Sequence, residues 1–292
     1  MKENCKKCDI NQIKKVCSIL SLDKNKEKEL EEAIKYYLDT VDMNKCNPEV
    51  MGEIWSIMSE IINDDNPYRE IKKYYNEEIM KIIPDVLNII NCEENKLEAA
   101  LKISICGNLI DFAAKHEFNL DMLLSKIEEV SNKELEIDDS KNMFSKLKQS
   151  KSLLYLGDNC GEIVLDKIFI DEIKKNNPEL KVFYGVRGKP VVNDVTVDDA
   201  EMVNMTESAE VISNGDGGLG AVLKNCSEEF RRIYNNVDIV ICKGQGNYES
   251  LLNSRRDNLY FLFMAKCENV TGPLNIPHMS IVCMKNREEL KW

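Results

Sequence analysis

The chain has 292 residues, of which 43% are hydrophobic and 31% are charged. This composition excludes wholesale disorder and a fibrous repeat, and this length suffices for two ordinary domains or one large α/β unit. Lys and Arg number 39 against 51 Asp and Glu, and the resulting net charge of −12 repels nucleic-acid phosphates and anionic lipid head groups, so neither is an expected partner.

The start of the chain bears on compartment and on cysteine chemistry. Residues 1–10 lack the apolar stretch of a secretory signal, and no later apolar run approaches the roughly 20 residues of a membrane span. We therefore expect a cytoplasmic protein whose 11 cysteines are mostly reduced thiols or ligands. Cys5 and Cys8 have the spacing of half a zinc site, but the sequence contains no second such pair. They either contribute to a second metal site, form a redox pair or are an exposed dithiol without a role.

Residues 1–145 are predicted to form a helical domain. Only two of the 13 glycines lie before residue 151, and apolar residues recur there at helical spacing. Gly107 interrupts the last of these patterns, and Asn108 and Asp111 follow it three residues apart on one helix face. This segment either closes over a ligand site or marks a close helix crossing. The apolar patterns are Ile34, Tyr37, Leu38 and Val41; Ile54, Ile57, Met58 and Ile61; and Leu97, Leu101, Ile105 and Leu109.

Residues 146–292 are predicted to form an α/β domain. Short apolar strands alternate there with helical stretches, a rhythm typical of a largely parallel sheet. The polar run from Ser131 to Lys141 is interpreted as the junction between the two domains. In such sheets ligands bind beyond the carboxyl ends of the strands, so the polar residues at those ends are the candidate site. Strands are predicted at 152–156, 181–186, 237–242, 259–264 and 279–284, with a helix near 163–175.

A glycine-flanked turn follows the first of these strands and carries Asp158 and Asn159. Their side chains place two hard oxygen donors at a helix N-terminus, where an anion is also favoured, so the turn suits a metal ion beside a phosphate. The alternative is that one of the pair only caps the helix. Asp194 follows the second strand and is expected to meet Asp158 across adjacent strand ends, which would complete a site for Mg²⁺ or Mn²⁺. The alternative for Asp194 is an Asx turn.

Lys243 follows the strand predicted at 237–242 and is succeeded by glycines. Its ammonium is able to face a phosphate there, while the backbone N–H groups around Gly244 approach closely. Asn247 and Glu249 are candidates for contacts with hydroxyl groups or with metal-bound water. This segment is not a Walker loop, because the order Gly-x-x-x-x-Gly-Lys-Ser/Thr is absent. A lysine at a strand end is often only an exposed surface residue. The prediction that this segment belongs to the site therefore depends chiefly on the other strand-end motifs.

Three motifs, taken in chain order, resemble those of the damage-control phosphatase family, first catalogued as domain of unknown function 89: GDNCGE, RGKPVVNDVT and KGQGNYE. Three further segments are similar to a subgroup of that family with an amino-terminal CxxC: CKKC, CGNLIDF and the late Lys266–Cys267. The resemblance therefore covers nearly the whole chain. It implies a helical amino-terminal part and a Rossmann-like α/β part.

The resemblance also implies a metal-dependent phosphatase that acts on small phosphorylated metabolites, such as sugar phosphates or phosphopantetheine-type compounds. One divalent ion (Mn²⁺, Mg²⁺, Co²⁺ or Ni²⁺) would be held by Asp158, Asn159 and Asp194, and Lys243 would lie near the substrate phosphate. The other predicted substrate contacts are Asn108, Asp111, Gly157, Gly244, Asn247 and Glu249.

Two other functions fit the same sequence. The α/β rhythm and a glycine turn also suit a methyltransferase that uses S-adenosylmethionine, and a phosphorylated metabolite could be bound without turnover. Direct attack by Asp158 on phosphorus and attack by water both stay open.

Overall fold

The computed structural model describes residues 1–107 and 119–287, and these contain thirteen α-helices and seven strands. Seven helices precede the first strand: α1 (Glu3–Ile19), α2 (Lys24–Thr40), α3 (Asn47–Ile62), α4 (Arg69–Lys81), α5 (Ile83–Cys92), α6 (Lys96–Cys106) and α7 (Leu120–Ser131). The later elements are β1 (Ile137–Asp138), α8 (Ser140–Gln149), β2 (Ser152–Leu156), α9 (Glu162–Asn176), β3 (Lys181–Val186), α10 (Val197–Met202), β4 (Glu210–Ser213), α11 (Glu228–Asn236), β5 (Ile239–Lys243), α12 (Gly244–Leu251), β6 (Leu259–Ala265), α13 (Glu268–Leu274) and β7 (Ser280–Lys285).

The predicted helical patterns correspond to α2, α3 and α6, apart from Val41, which lies one residue beyond α2, and Leu109, which lies outside the described residues. In α2, Ile34 and Leu38 are buried one turn apart on the face that the spacing predicts. The helix begins where the Asp23 carboxylate accepts two backbone N–H groups, and α3 begins with Pro48 in its first turn. Within the described ranges, every helix is too short or too polar to serve as a bilayer-spanning segment.

The strands form one sheet in the order β1-β7-β6-β5-β2-β3-β4. The five neighbouring strands from β6 to β4 run parallel, while β7 is antiparallel to β6 and parallel to β1. The chain adds β3 and β4 on one side of β2 and then β5 and β6 on the other. The direction of winding therefore reverses between β2 and β5, and ligands of open α/β sheets bind in the crevice beyond the strand ends at such a reversal.

The predicted α/β class is confirmed. The strands predicted at 152–156 and 181–186 have the bounds of β2 and β3, and the three later ones are shifted by no more than two residues. Two strands are not predicted by the apolar pattern: β4 is a short edge strand without a fully buried residue, and β1 has only two residues inside the polar run 131–141. The sheet thus includes residues before 146, and the division into two domains stays a prediction.

Successive side chains of β2 enter different hydrophobic cores, as the alternation of a strand requires. Leu153 and Tyr155 pack with helices α4 to α10 on one face of the sheet. Leu154 packs with α11, α12 and α13 on the other face. A third core joins α1, α2 and α3 and also contains Val191 and Val192 from the loop after β3. The first three helices are therefore packed against the carboxyl edge of the sheet.

Asp238 joins the starts of β2 and β5. Its carboxylate accepts the backbone N–H groups of Lys151 and Ser152 at 2.8 and 2.9 Å and the Ser152 hydroxyl at 3.0 Å. We expect Asp238→Ala to lower the free energy of unfolding in urea by about 1.5–3 kcal/mol, because three hydrogen bonds to a charged group are lost. Asp257→Ala, at an exposed position nearby, is the control.

The hydrogen bonds to Asp238, the backbone N–H of Lys151 above all, lower the pKa of its carboxyl group. The stability that they contribute is therefore present above about pH 4 and is lost as the pH falls below that value. The difference between the two variants should shrink correspondingly in acid. Equal stability of both variants at neutral pH would contradict the assignment.

Candidate functional site

A backbone bridge joins the turn after β2 to the loop after β3. Asn159 and Asp194 pair across it in antiparallel fashion. On one side the N–H of Cys160 donates to the carbonyl of Asn193. On the other side the N–H of Val195 donates to the carbonyl of Asp158, and both distances are 2.9 Å. The backbones of Asp158 and Asp194, two of the predicted metal ligands, are therefore held next to each other at the carboxyl edge of the sheet.

The loop that carries Asp194 depends on helices α1, α2 and α3. Val192 has a φ of 44°, in the left-handed region that costs a β-branched residue about 1–3 kcal/mol. Its side chain and that of Val191 are buried in the core of these helices. Burial of the two side chains offsets the strain, so the helical part sets the conformation of the loop.

Arg187 is the buried cation beside the carboxylate pair. Its Nε donates to Asp194 Oδ2 at 2.6 Å, and its Nη2 lies 3.7 Å from Asp158 Oδ1. Burial and the negative charge of Asp194 still raise the pKa of Asp158 to about 7, and burial raises the pKa of Asp194 as well. The guanidinium therefore compensates two buried carboxylates incompletely, and the site favours a further positive charge.

Hydrogen bonds fix which way the amide of Asn159 faces. Its Nδ2 donates to Asp158 Oδ2 at 2.8 Å and to Glu162 Oε2 at 3.3 Å. Because both carboxylates require the N–H groups, the orientation of the amide follows from this network and leaves Oδ1 as an acceptor. Asn159 is thus prepared to act as an oxygen ligand.

Lys243, which is predicted to face the substrate phosphate, is enclosed behind the site. Its Nζ donates to Glu162 at 2.5 Å, to Asp166 at 2.6 Å and to the carbonyl of Ser104 at 2.8 Å, and all of these residues are fully buried. Burial lowers the pKa of Lys243, but the two carboxylates raise it by more. Glu162 also accepts a hydrogen bond from Asn159, which in turn donates to Asp158. A chain of hydrogen bonds therefore links the Lys243 ammonium to Asp158.

Three predicted substrate contacts lie around the turn that holds Asp158. Gly244 has a φ of +75°, and a Cβ at this position would overlap the Asp158 carboxylate. A Cβ at Gly157 would overlap the hydroxyl of Tyr184. Asn247 is fully buried and donates to the carbonyl of Gly157 at 3.2 Å. These residues therefore help to hold the turn that carries Asp158 in place.

A cavity of about 390 Å³ opens in front of the carboxylate pair, a size within the range of small-molecule sites. Lys266, the first residue after β6, brings a positive charge to its wall, and this charge contributes to lowering the pKa of Asp158. The cavity thus combines carboxylates with a cation from a neighbouring strand end. Its lining residues are Cys8, Asp9, Gln12, Asn47, Met51, Asp158, Asn159, Val192, Asn193, Asp194, Leu219, Gln245, Gly246 and Lys266.

Three of the predicted substrate contacts lie away from the turn that holds Asp158 or outside the described residues. Asn108 and Asp111 lie outside the described residues. Gly107, directly before them, approaches Glu162 so closely that a Cβ would overlap its side chain, which favours the helix-crossing interpretation for Gly107 itself. Glu249 is half-buried on α12, and burial raises its pKa to about 7.

All eleven cysteines lie within the described residues and are free thiols. Cys5 is buried, whereas Cys8 is exposed and lines the cavity. Over residues 1–107 and 119–287, no group of three or more His, Cys, Asp or Glu side chains is arranged to hold a metal ion. Cys160 is fully buried, and burial raises its pKa well above the usual value, so it stays a thiol rather than a nucleophilic thiolate. A metal or redox role for Cys5 and Cys8 stays a prediction.

Several polar residues that were not predicted from the sequence also lie at the site. Arg187 and Lys266 each stand directly after a strand, which is the signal that identifies the other candidates. Glu162 belongs to a quoted motif, and only its contacts reveal its function. Asp9 and Asn47 have no local signal, because their place at the cavity depends on how α1 and α3 pack.

The donors around the bridge suit a hard divalent cation. Asp158 and Asp194 supply carboxylate oxygens and Asn159 supplies an amide oxygen, which are the ligand types that Mg²⁺ and Mn²⁺ prefer. The raised pKa of Asp158 is the expected sign of negative charge that lacks a full counter-charge. These three side chains are therefore the residues in the described part of the chain best suited to a metal ion.

Comparison with known proteins identifies the family. Residues 1–282 match the Damage-control phosphatase ARMT1-like domain. The damage-control phosphatase PH1575 of Pyrococcus horikoshii is 32% identical over 291 residues, 98% of each chain, and a damage-control phosphatase of Archaeoglobus fulgidus is 29% identical over 254 residues, 85% of each chain. The crystal structure of PH1575, described as a DUF89 family protein, matches with a TM-score of 0.90 and 30% identity over 98% of this chain and 99% of that one.

The chain therefore belongs to the damage-control phosphatase ARMT1-like family, as its motifs predict. The two relatives from Pyrococcus horikoshii and Archaeoglobus fulgidus are named phosphatases, which supports a hydrolase.

Substitution of Gly244 tests the support of Asp158. We expect Gly244→Ala to abolish Mn²⁺ binding in calorimetry, because the added Cβ displaces the Asp158 carboxylate and the positive φ disfavours any side chain. Gly272→Ala is the matched control, since a Cβ there meets no atom within 4 Å. Undiminished Mn²⁺ binding by the Gly244 variant would show that Asp158 is not a ligand.

The raised pKa of Asp158 predicts how stability depends on pH. A carboxyl group with a pKa of about 7 in the folded protein and about 4 in the unfolded chain stabilises the fold when protonated, and this contribution is lost as the pH rises through 7. The melting temperature of the metal-free protein should therefore fall between about pH 4 and about pH 7 and level off above it. The increase that Mn²⁺ produces should be larger at the higher pH, because the cation replaces the proton.

Asp158→Asn is the matched variant for this measurement, since an amide does not titrate. We expect it to make the fall of the melting temperature with pH smaller than in the parent, while the raised pKa of Glu249 keeps part of the fall. A profile identical to that of the parent would refute the role of Asp158.

Proposed function

We propose that this member of the damage-control phosphatase family hydrolyses phosphate monoesters of small metabolites and depends on one divalent cation. The observation that carries the proposal is the backbone bridge, which brings the buried carboxylates of Asp158 and Asp194 together at a cavity with incompletely compensated charge. The proposed substrates are sugar phosphates or phosphopantetheine-type compounds. The proposed cation is Mn²⁺, Mg²⁺, Co²⁺ or Ni²⁺.

Asp158, Asn159 and Asp194 would hold the cation. When bound, it would supply Lewis acidity toward a phosphoryl oxygen. The chain itself orients the three ligands beforehand: Arg187 holds the Asp194 carboxylate through Nε, and Glu162 accepts from the Asn159 amide. Such outer contacts reduce the reorganisation that binding requires.

Lys266 is proposed to be the side chain that faces the ester. Hydrolysis of a phosphate ester requires mainly positioning and stabilisation of charge on the transferring group, and an ammonium at the cavity wall supplies the second. Lys243 is proposed to be a positioning residue instead, because its ammonium is enclosed by Glu162 and Asp166. In that place it neutralises the acidic groups beneath Asn159.

Removal of one proposed ligand tests the function. We expect Asp194→Asn, which keeps the shape of the side chain but removes its charge, to lower kcat on the order of 100- to 1,000-fold with phosphate monoesters. Phosphate release would be measured with each of the four cations over a panel of sugar phosphates and phosphopantetheine-type compounds. Asp198→Asn, at an exposed position of α10, is the control and should retain the parent rate.

Three outcomes would contradict the proposal. An Asp194 variant with the parent rate would remove that residue from the site. Tight binding of S-adenosylmethionine without a need for a divalent cation would favour a methyltransferase. Binding of a phosphorylated metabolite with background turnover in all four cations would favour a protein that only sequesters its ligand.

A further inference from the structure

Two polar side chains from the helical part of the chain reach the wall of the same cavity. Asp9 lies on α1 and Asn47 begins α3, and both line the cavity together with Asp158 and Asn159. The two residues are paired, since Asn47 Nδ2 donates to Asp9 Oδ1 at 3.2 Å. They therefore form one polar group, contributed by elements that carry none of the proposed metal ligands.

This pair is left with two acceptors that lack donors. Among the residues that the structure describes, Asp9 Oδ2 and Asn47 Oδ1 are both buried without a hydrogen-bond partner. Asp9 as a whole is only 2% exposed. Buried acceptors without donors are rare because they lose their hydrogen bonds to water, so such atoms at a cavity wall indicate that a ligand supplies the donors.

Burial raises the pKa of Asp9 to about 6, and the hydrogen bond from Asn47 opposes the increase. At neutral pH Asp9 is therefore an anionic acceptor. A bound phosphate would be repelled by it, whereas a neutral hydroxyl group would donate to it.

The position of the pair is firmly set. The carbonyl of Pro48 accepts the N–H of Leu219 at 3.1 Å, which ties the start of α3 to the glycine-rich loop after β4. Leu219 lines the same cavity, so this hydrogen bond holds the start of α3 at the cavity wall.

We infer that Asp9 and Asn47 determine specificity by accepting hydrogen bonds from hydroxyl groups on the alcohol part of the phosphate ester. The inference rests on the proposed function, since the phosphate is taken to lie at Asp158 and Lys266. It selects, among small phosphate esters, those whose alcohol part carries free hydroxyl groups. Polyol and sugar phosphates have this chemistry, and an aryl phosphate does not.

The test compares two substrates in each variant. Asp9→Asn turns an N–H₂ group toward the cavity in place of Oδ2, because Asn47 still requires the acceptor at Oδ1. We expect KM for a hexose phosphate to rise about 10-fold or more, with KM for 4-nitrophenyl phosphate changed less than about twofold and kcat nearly unchanged for both. Asn47→Leu, which removes the second acceptor, should behave in the same way.

Asn11→Ala is the matched control, since Asn11 is an exposed residue of α1. An equal change in KM for both substrates, or no change for either, would overturn the inference. Unaltered melting temperatures would show that the variants fold, and if one variant fails to fold the other decides.

The inference and the proposed function fail in different ways. If the parent protein hydrolyses no ester, the proposed function fails, and calorimetry with a hexose phosphate and with inorganic phosphate then tests the pair alone. Asp9→Asn should weaken binding of the sugar phosphate about 10-fold and leave inorganic phosphate unaffected. Equal weakening of both ligands, or of neither, would refute the assignment of Asp9 and Asn47.

Discussion

The antiparallel bridge between Asn159 and Asp194 forces two carboxylates to share one buried corner of the sheet edge. On separate loops, Asp158 and Asp194 would move apart under their mutual repulsion, but the backbone hydrogen bonds on either side of the bridge prevent this. Arg187 reduces the repulsion without removing it, since burial and Asp194 still raise the pKa of Asp158 to about 7. The fold therefore maintains an unfavourable concentration of charge at one point, as is typical of functional sites.

A second group of charges lies beneath the first and stabilises it. Lys243 contacts Glu162 and Asp166, and two tyrosine hydroxyls donate to Asp166 at 2.8 and 3.0 Å. A buried carboxylate is tolerated when its oxygens have donors, and this network supplies them. Because Glu162 also accepts from Asn159, the network decides which end of that amide faces the cavity. The buried cation thus influences the site through the orientation of the Asn159 amide and through its charge, which contributes to lowering the pKa of Asp158.

The sequence predicts those parts of the fold and of the site that depend on residues close together in the chain. Apolar runs fix the strands, and the strand-end rule finds Asp158 and Asp194 because both lie in loops just past a strand. Lys243 is still the last residue of β5, so its side chain follows the strand alternation onto the face covered by α6 and α9. Lys266 lies one residue beyond β6 and reaches the cavity. Whether a lysine is buried under the sheet or reaches the cavity therefore depends on whether it is the last residue of a strand or the first residue after it. A sequence pattern does not locate strand ends to within one residue.

Helices α1, α2 and α3 hold the loop that carries Asp194, and α1 and α3 also form the opposite wall of the cavity. Val192 keeps its left-handed conformation only while the core of α1, α2 and α3 holds its side chain, and Asp194 follows two residues later. The same helices carry Asp9 and Asn47. No local pattern reveals these residues, since their positions result from packing between distant segments. The carboxylate pair and the proposed selectivity therefore reside on different elements, so substitutions in α1 and α3 are able to change which ester is accepted while the bridge keeps its geometry.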